Sequence, residues 1–154
     1  MKSKFIPQDG QPFFMVDCDL TIGNFDFDEM DPLHVAFAEL GNVFETKEEA
    51  EFAAEQIRVR IELQRLADAA NEEEQAASGE DPTEWDTVNN HYFIYYDCEE
   101  DSVRVNLEWD QKCDLIYFPS SDAAYAAIDK VGAERILRYY FGIEPEPEEG
   151  GADA

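Results

Sequence analysis

One long helical pattern constrains the fold of this chain more than any other feature. Residues 42–78 contain neither Gly nor Pro, and apolar residues recur there at three- and four-residue steps from Ala50 to Ala70. Thr46 precedes the pattern and predicts an N-cap that accepts from the backbone N–H of Glu49. A helix over 46–76 is about 45 Å long at 1.5 Å per residue. Because this exceeds the width of a compact domain of this size, we expect the distal part to be exposed.

Two stretches of the chain repeat one plan, in which a strand, an acidic turn, a returning strand and a third strand precede a helix. The turn is Asp17-Cys18-Asp19 in the first copy and Asp97-Cys98 in the second. The predicted strands are 13–16, 20–24 and 43–44 in the first copy, and 92–96, 103–109 and 115–118 in the second. In the first copy, Asp31-Pro32 marks a further turn before 33–40.

The two copies predict an α+β fold. Antiparallel sheets would pack against the long helix and against two shorter C-terminal helices, over about 120–131 and 133–141. Ser120 stands before the first of these as Thr46 stands before the long helix, and Gly132 ends it.

The length of the chain favours a single domain. A chain of 154 residues is long enough to bury a sizeable core without disulfides or metals. We expect one α+β domain over 1–143, built of half-repeats over about 11–78 and 85–143. Residues 144–154 are dominated by Glu, Pro and Gly and predict a disordered acidic tail.

The charge of the chain limits its possible partners. Against 37 Asp and Glu there are 11 Lys and Arg, which gives a formal net charge of -26. No Lys or Arg lies between Arg65 and Arg104. Direct binding to nucleic acid or to an anionic membrane is disfavoured because phosphate contacts require Lys and Arg. A basic protein partner is favoured, although solubility or a high-salt cytoplasm would also explain an acidic surface.

The cysteines and the hydropathy indicate a cytoplasmic protein. Three Cys, an odd number without zinc-like spacing, favour reduced thiols. No secretory signal is evident at the start of the sequence, and no apolar run approaches the roughly 18 residues of a membrane span.

The acidity suggests mimicry of nucleic acid. By the compactness rule, a globule of this size is about 38 Å across. Duplex DNA carries about 22 phosphates over that length, so the net charge of -26 is of the same order. The densest acidic clusters outside the predicted core are the candidate partner-binding residues: Asp26, Asp28, Glu29, Asp31, Glu72, Glu73, Glu74, Glu99, Glu100 and Asp101.

One short motif suggests an enzyme. An apolar strand followed by Asp17-Cys18-Asp19-Leu20-Thr21 resembles the first motif of haloacid dehalogenase-like hydrolases. That resemblance implies a phosphate-attacking nucleophile at Asp17, a general acid/base at Asp19 and magnesium between them. The sequence lacks the later apolar strand with an acidic pair, so we favour a hairpin turn and expect no catalytic residue.

Cofactor and metal sites are also disfavoured. Asn24, Asp26, Asp28 and Glu29 alternate as calcium ligands can, but they lack the glycine and the bidentate glutamate of an EF-hand. His34 and His91 have no Cys or His companion at ligand spacing, which favours ordinary turn or core histidines. We therefore expect neither a cofactor nor a metal.

The aromatic residues and the long helix leave a second function open. Strand tyrosines such as Tyr92 and Tyr95 lack the surrounding Lys and Arg that base stacking needs, and core or cross-strand packing explains them better. The helix stripe also allows homodimerisation through Val59, Leu63 and Leu66. The alternative to mimicry is an accessory or assembly protein that binds another protein through aromatics and this helix.

Four stretches together resemble a group of small bacteriophage and prophage proteins of unassigned function. They are G-N-V-F-E-T-K-E-E-A-E-F-A at 41–53, W-(x)6-Y-F-I-Y-Y-D at 85–97, I-Y-F-x-S-x-x-x-A at 116–124 and V-G-A-E-R-I-L-R-Y-Y-F-G-I at 131–143. The resemblance covers roughly residues 11 to 143 and implies a phage context without catalytic residues to carry over. Small acidic phage proteins are often inhibitors of host defence. We therefore expect an anti-CRISPR or anti-restriction inhibitor whose partner is a Cas nuclease or a restriction enzyme.

Overall fold

The computed structural model describes residues 4–86 and 88–144. It confirms an α+β fold with antiparallel sheets, one long helix and shorter C-terminal helices. The chain divides into two compact units, Met1–Arg58 and Val59–Ala154, with the division inside the long helix. The tail expected over 144–154 lies, beyond Glu144, outside the described residues.

A two-stranded antiparallel sheet forms the centre of the first unit. Strand β1 is Pro12–Val16 and β2 is Ile22–Asp26, and they are paired from Pro12↔Asp26 to Val16↔Ile22. The third strand expected at 43–44 is reduced to an isolated bridge, Phe14↔Phe44. Two buried clusters flank this sheet, one around Phe13 and one around Val16, Ala50 and Ala54.

A helix that the repeat plan omitted also belongs to the first unit. Helix α1 is Pro32–Leu40, and the Asp31 carboxylate caps it by accepting from the backbone N–H of Leu33. Gly41 ends the helix with a φ of 79°, a left-handed conformation that glycine adopts without steric cost. The turn expected at Asp31-Pro32 is therefore the start of a helix, and 33–40 belongs to that helix.

Helix α2, the long helix, spans Lys47–Ser78. The Thr46 hydroxyl accepts from the N–H of Glu49 at 3.2 Å, which confirms the predicted cap. Residues 72–78 are all exposed, as the length of the helical pattern predicts.

A three-stranded antiparallel sheet lies in the second unit. Strands β3 (His91–Asp97), β4 (Ser102–Glu108) and β5 (Tyr117–Phe118) have the order β4-β3-β5. In each copy of the repeat, the first strand pairs with both the returning strand and the third segment, which is a strand in one copy and a bridge in the other. The largest buried cluster among the described residues lies in this unit and includes Leu63 of α2, Phe118 of β5 and Ile136.

The C-terminal helices differ slightly from the prediction. Helix α3 is Ser121–Val131, capped by the Ser120 hydroxyl, which accepts from the N–H of Ala123 at 3.1 Å. The predicted helix over 133–141 is a short α4, Ala133–Arg135, followed by a π-helical turn, Ile136–Tyr140. The wider turn places Ile136 and Leu137 among the buried residues while Arg138 stays exposed.

Candidate functional site

The first predicted acidic cluster is a tight turn between β2 and α1. Asp31 donates its N–H to the carbonyl of Asp28 at 3.1 Å, and Glu29 donates its N–H to the carboxylate of Asp9 at 3.2 Å. Asp28, Glu29 and Asp31 therefore lie together with Asp9, whereas Asp26 is the last residue of β2.

Two carboxylates of that turn have structural roles. Asp28 accepts from the N–H of Met30 at 2.8 Å, and Asp31 caps α1 and lies 3.9 Å from His34 Nε2. Asp26 and Glu29 are exposed. The turn thus offers fewer uncommitted carboxylates than the sequence indicates, because short acidic side chains there bond their own backbone.

The second cluster, Glu72, Glu73 and Glu74, lies on the exposed end of α2. At about 100° per residue, three consecutive helical residues point in three directions, so they do not form one face. All three are exposed, and none forms an ion pair within the described residues 4–86 and 88–144. Of the three predicted clusters, this one presents its charge with the least compensation.

The third cluster, Glu99, Glu100 and Asp101, forms the turn between β3 and β4. The hydroxyl of Tyr96 donates to Asp101 at 2.7 Å. Arg104 lies 3.5 Å from Glu100 and 3.7 Å from Asp97, because the β3–β4 register places it beside the turn. The charge of this turn is therefore partly compensated by Arg104.

The sequence resembling a hydrolase motif is a hairpin turn. Asp17 donates its N–H to the carbonyl of Thr21, and Asp19 accepts from both the N–H and the hydroxyl of Thr21, at 3.0 and 2.6 Å. The hydroxyl bond and then the N–H bond lower the pKa of the Asp19 carboxyl. Asp19 thus closes the turn between β1 and β2 as an ionised hydrogen-bond acceptor. Asp17 and Asp19 therefore both have structural roles in this turn.

The described residues contain no group of three or more His, Cys, Asp or Glu side chains that could hold a metal ion. The alternating residues considered as a calcium loop divide between a strand, which holds Asn24 and Asp26, and the turn that follows. Cys18, Cys98 and Cys113 are free and exposed.

The apolar stripe proposed for homodimerisation is used inside the second unit. Val59 is fully buried, Leu63 is 1% exposed, and Leu66 packs against the same cluster. Val59 and Leu63 therefore belong to the core of this unit, whereas Leu66 is half-buried, and homodimerisation through the long helix stays a prediction. The large apolar residues of α2 that remain exposed are Ile57 and Ile61, at 43% and 39%.

A cavity that the sequence analysis missed lies in the second unit, beside the start of β3. Its volume is about 220 Å³. Trp85 stacks on the imidazole of His91 with ring centroids 3.7 Å apart and planes 8° apart, and Tyr117 meets Trp85 edge-on at 4.9 Å. The polar residues lining the cavity are Gln64, Asp68, Asn71, Thr83, His91 and Gln111, and Tyr117 adds a phenol.

The loop that carries Trp85 is organised by its own acidic residues. Asp81 accepts from the N–H and hydroxyl of Thr83, and Asp86 accepts from the N–H groups of Val88 and Asn89. The Asn89 amide donates to the carbonyls of Asp81 and Glu84 at 3.1 and 3.2 Å. The bonds from the Thr83 hydroxyl and N–H lower the pKa of the Asp81 carboxyl, and those from the N–H groups of Asn89 and Val88 lower the pKa of the Asp86 carboxyl. Both carboxylates therefore stay ionised while they shape the loop.

His91 is the only buried polar or charged side chain of the described residues, at 4% exposed. Burial lowers its pKa, and this effect exceeds the opposing ones of the Asp86 carboxylate and of a hydrogen bond with the Glu84 backbone. The folded protein therefore holds the imidazole neutral at pH 7.

We expect acidification to destabilise the protein through His91. The unfolded chain binds a proton near the ordinary histidine pKa of about 6.5, whereas the folded chain binds it only at lower pH. The contribution of the neutral ring is complete above pH ~6.5 and is lost as the pH falls through the folded-state pKa. Urea unfolding at a series of pH values should show this loss, and His91→Gln should remove it. An unchanged pH profile in His91→Gln would contradict the assignment.

No known protein family, curated protein or solved structure matches this chain. Among the described helices, none combines the length and apolar character needed to cross a membrane.

Proposed function

We propose that this protein is a phage-encoded inhibitor of a host nucleic-acid enzyme, of the anti-CRISPR or anti-restriction type, that occupies a basic groove by acidic mimicry. The supporting observation is the exposed end of α2. From Glu72 to Glu80 every residue is exposed, and no Lys or Arg follows Arg65 until Arg104. A basic groove would meet no compensating cation along this stretch.

The spacing of charge on α2 is comparable with that of nucleic acid. From Asp68 to Glu74 the helix presents four carboxylates over a rise of about 9 Å. One DNA strand presents about three phosphates over the same distance, at one per 3.4 Å. Asp68 and Glu72 are one helical turn apart and share a side, while Glu73 and Glu74 extend the charge around the helix. The end of α2 can therefore present at least the charge of one strand to a basic groove.

The expected result of a capture experiment is a salt-sensitive complex with a basic nucleic-acid enzyme. Tagged protein is incubated with bacterial lysates that contain candidate Cas nucleases and restriction enzymes, and washed at low and high salt. Since the contacts are electrostatic, salt or added duplex DNA should release the partner. The released enzyme, once purified, should be inhibited in a DNA-cleavage assay by the protein alone.

The capture experiment has a control variant and one outcome that would contradict mimicry. A variant with Glu72, Glu73 and Glu74 replaced by Gln keeps the helix formers and removes three charges; it should capture less of the same enzyme. A partner that stays bound at high salt and is not released by duplex DNA would contradict mimicry.

An apolar surface in the first unit favours the alternative, an accessory or assembly protein. A groove of about 580 Å³ is lined by Leu20, Phe37, Leu40, Phe44 and Ile57, among others. Leu40 is 82% exposed and Ile57 is 43% exposed. A protein bound here would be held mainly by apolar burial and would therefore persist in high salt.

A further inference from the structure

The cavity beside His91 shares Asp68 with the acidic end of α2, and its wall contains a polar atom without a partner among the described residues. His91 Nε2 is buried and has no hydrogen-bond partner among the residues that the structure describes. A buried polar atom left unpaired costs about 1–3 kcal/mol. Such an atom in the wall of a cavity indicates a ligand that supplies the missing partner.

The state of the imidazole defines what that partner must be. Burial keeps the ring neutral at pH 7, since it lowers the pKa of His91. A neutral imidazole carries a single proton, and with that proton on Nδ1 the other nitrogen, Nε2, is an acceptor. Nε2 then offers a lone pair, and the missing partner is a donor.

Several other polar groups of the cavity also offer acceptors. Gln64 donates its amide N–H to Asp68 at 2.8 Å, and Asn71 donates its amide N–H to the carbonyl of Tyr117 at 3.3 Å. The Thr83 hydroxyl donates to Asp81 at 2.7 Å. Each of these bonds uses one donor and leaves an oxygen acceptor on the same side chain, while Gln64 and Asn71 each keep a second amide N–H. The cavity therefore presents the Nε2 lone pair together with several oxygens.

The charge and the aromatic rings of the cavity lining restrict the chemical class of the ligand further. Asp68 brings a carboxylate to the cavity, and no Lys or Arg is among its described lining residues. Trp85 and Tyr117 provide aromatic surface, on which a guanidinium stacks more readily than an ammonium ion because it is planar and less hydrated. A volume of about 220 Å³ holds roughly seven waters at about 30 Å³ each. The cavity fits one small group rather than a cofactor.

We infer that the cavity formed by His91, Trp85, Tyr117, Asp68 and Asn71 binds a guanidinium group, carried by a small molecule or by an arginine side chain of a protein partner. A guanidinium has five N–H donors in one plane and no acceptor, which is the complement of a cavity that offers a carboxylate and several other acceptors. The small-molecule source is independent of the proposed function, whereas the arginine source rests on it.

The test uses the fluorescence of Trp85 in the full chain. The chain has two tryptophans, so Trp109→Phe, at a residue 67% exposed, leaves Trp85 as the sole reporter. This protein is titrated at constant ionic strength with methylguanidinium and, separately, with an end-capped Gly-Arg-Gly peptide. Tetramethylammonium, a cation without N–H donors, is the ligand control. We expect a saturable change with a guanidinium probe and none with tetramethylammonium.

Two variants and one matched control locate the binding. Asp68→Asn alters an exposed side chain of α2, and we expect at least tenfold weaker binding with the fold unchanged by circular dichroism. His91→Phe should abolish binding because it removes the acceptor. Asp129→Asn makes the same charge change on an exposed residue of α3 that does not line the cavity, and it should bind as the parent does.

Each outcome decides the inference. Saturation by methylguanidinium that Asp68→Asn weakens and Asp129→Asn does not would support a small-molecule ligand. Saturation by the peptide alone, with the same variant pattern, would support an arginine side chain. If neither probe saturates, or if Asp68→Asn and Asp129→Asn behave alike, the inference is overturned. Since neither probe involves a nucleic-acid enzyme, this failure is distinguishable from failure of the capture experiment.

Discussion

Replacing Phe118 by alanine should destabilise the folded protein by about 3–5 kcal/mol, the usual cost of truncating a buried phenylalanine. Phe118 is 1% exposed and lies in β5, paired with Tyr92 of β3, within the main buried cluster of the second unit. Alanine removes the ring but leaves surrounding groups from a helix and a sheet that cannot all move inward. The loss is therefore the transfer free energy of the ring plus that of a residual cavity.

The measurement is urea unfolding followed by far-UV circular dichroism, with the parent and variant compared at pH 7. Tyr125→Ala is the matched control, because it truncates an aromatic residue that is 48% exposed on α3. Surface changes of this kind usually stay within about 0.5 kcal/mol. A loss below about 1 kcal/mol for Phe118→Ala, or equal losses for the two variants, would show that this cluster does not stabilise the unit.

The elements that the sequence predicts well are those fixed by local chemistry. Thr46 and Ser120 cap their helices as their positions before amphipathic patterns indicate. The Asp17–Thr21 and Asp97–Asp101 turns join antiparallel strands in both copies of the repeat. Each of these features depends on residues only a few positions apart, so one sequence is enough to identify it.

Helix α1 was missed although its signals are present. Asp31 is the cap, Pro32 opens the helix and Gly41 ends it, which is a combination typical of helix boundaries. The repeat plan assigns no element to 33–40, and the second copy has no helix at the corresponding point. The local signals predict helix α1 correctly, whereas the analogy between the two copies of the repeat does not.

The candidate sites include some features that a single sequence predicts and others that it does not. Exposure of Glu72–Glu74 follows from helix length and charge, and is correctly anticipated. The pairing of Arg104 with Glu100 depends on the β3–β4 register. The cavity depends on a loop that brings Trp85 onto His91 and on helix α2 supplying Asp68, which are contacts between distant segments. A tryptophan six residues before a histidine that opens a strand was the available signal, but nothing in the spacing indicates stacking.

Reversing the charge of Glu72, Glu73 and Glu74 to lysine should weaken binding to a basic partner at least 100-fold. The reversal changes the net charge by six units on a segment with no ion pair of its own among the described residues. At each position an attraction to the partner becomes a repulsion, so the effect should exceed that of neutralisation to Gln. Lysine is also a good helix former and the segment is exposed, so the helix should persist.

The decisive readout is the salt dependence of affinity for the nucleic-acid enzyme identified by capture. If α2 occupies its groove, the slope of log affinity against log salt concentration should fall in the lysine variant, because fewer ions are released. The matched control reverses Glu48, Glu49 and Glu51, which are exposed in the first turns of the same helix. It makes the same charge change, although loss of acid at a helix N-terminus costs some stability. Equal weakening by both triple variants would indicate a response to net charge alone, and would remove the end of α2 from the interface.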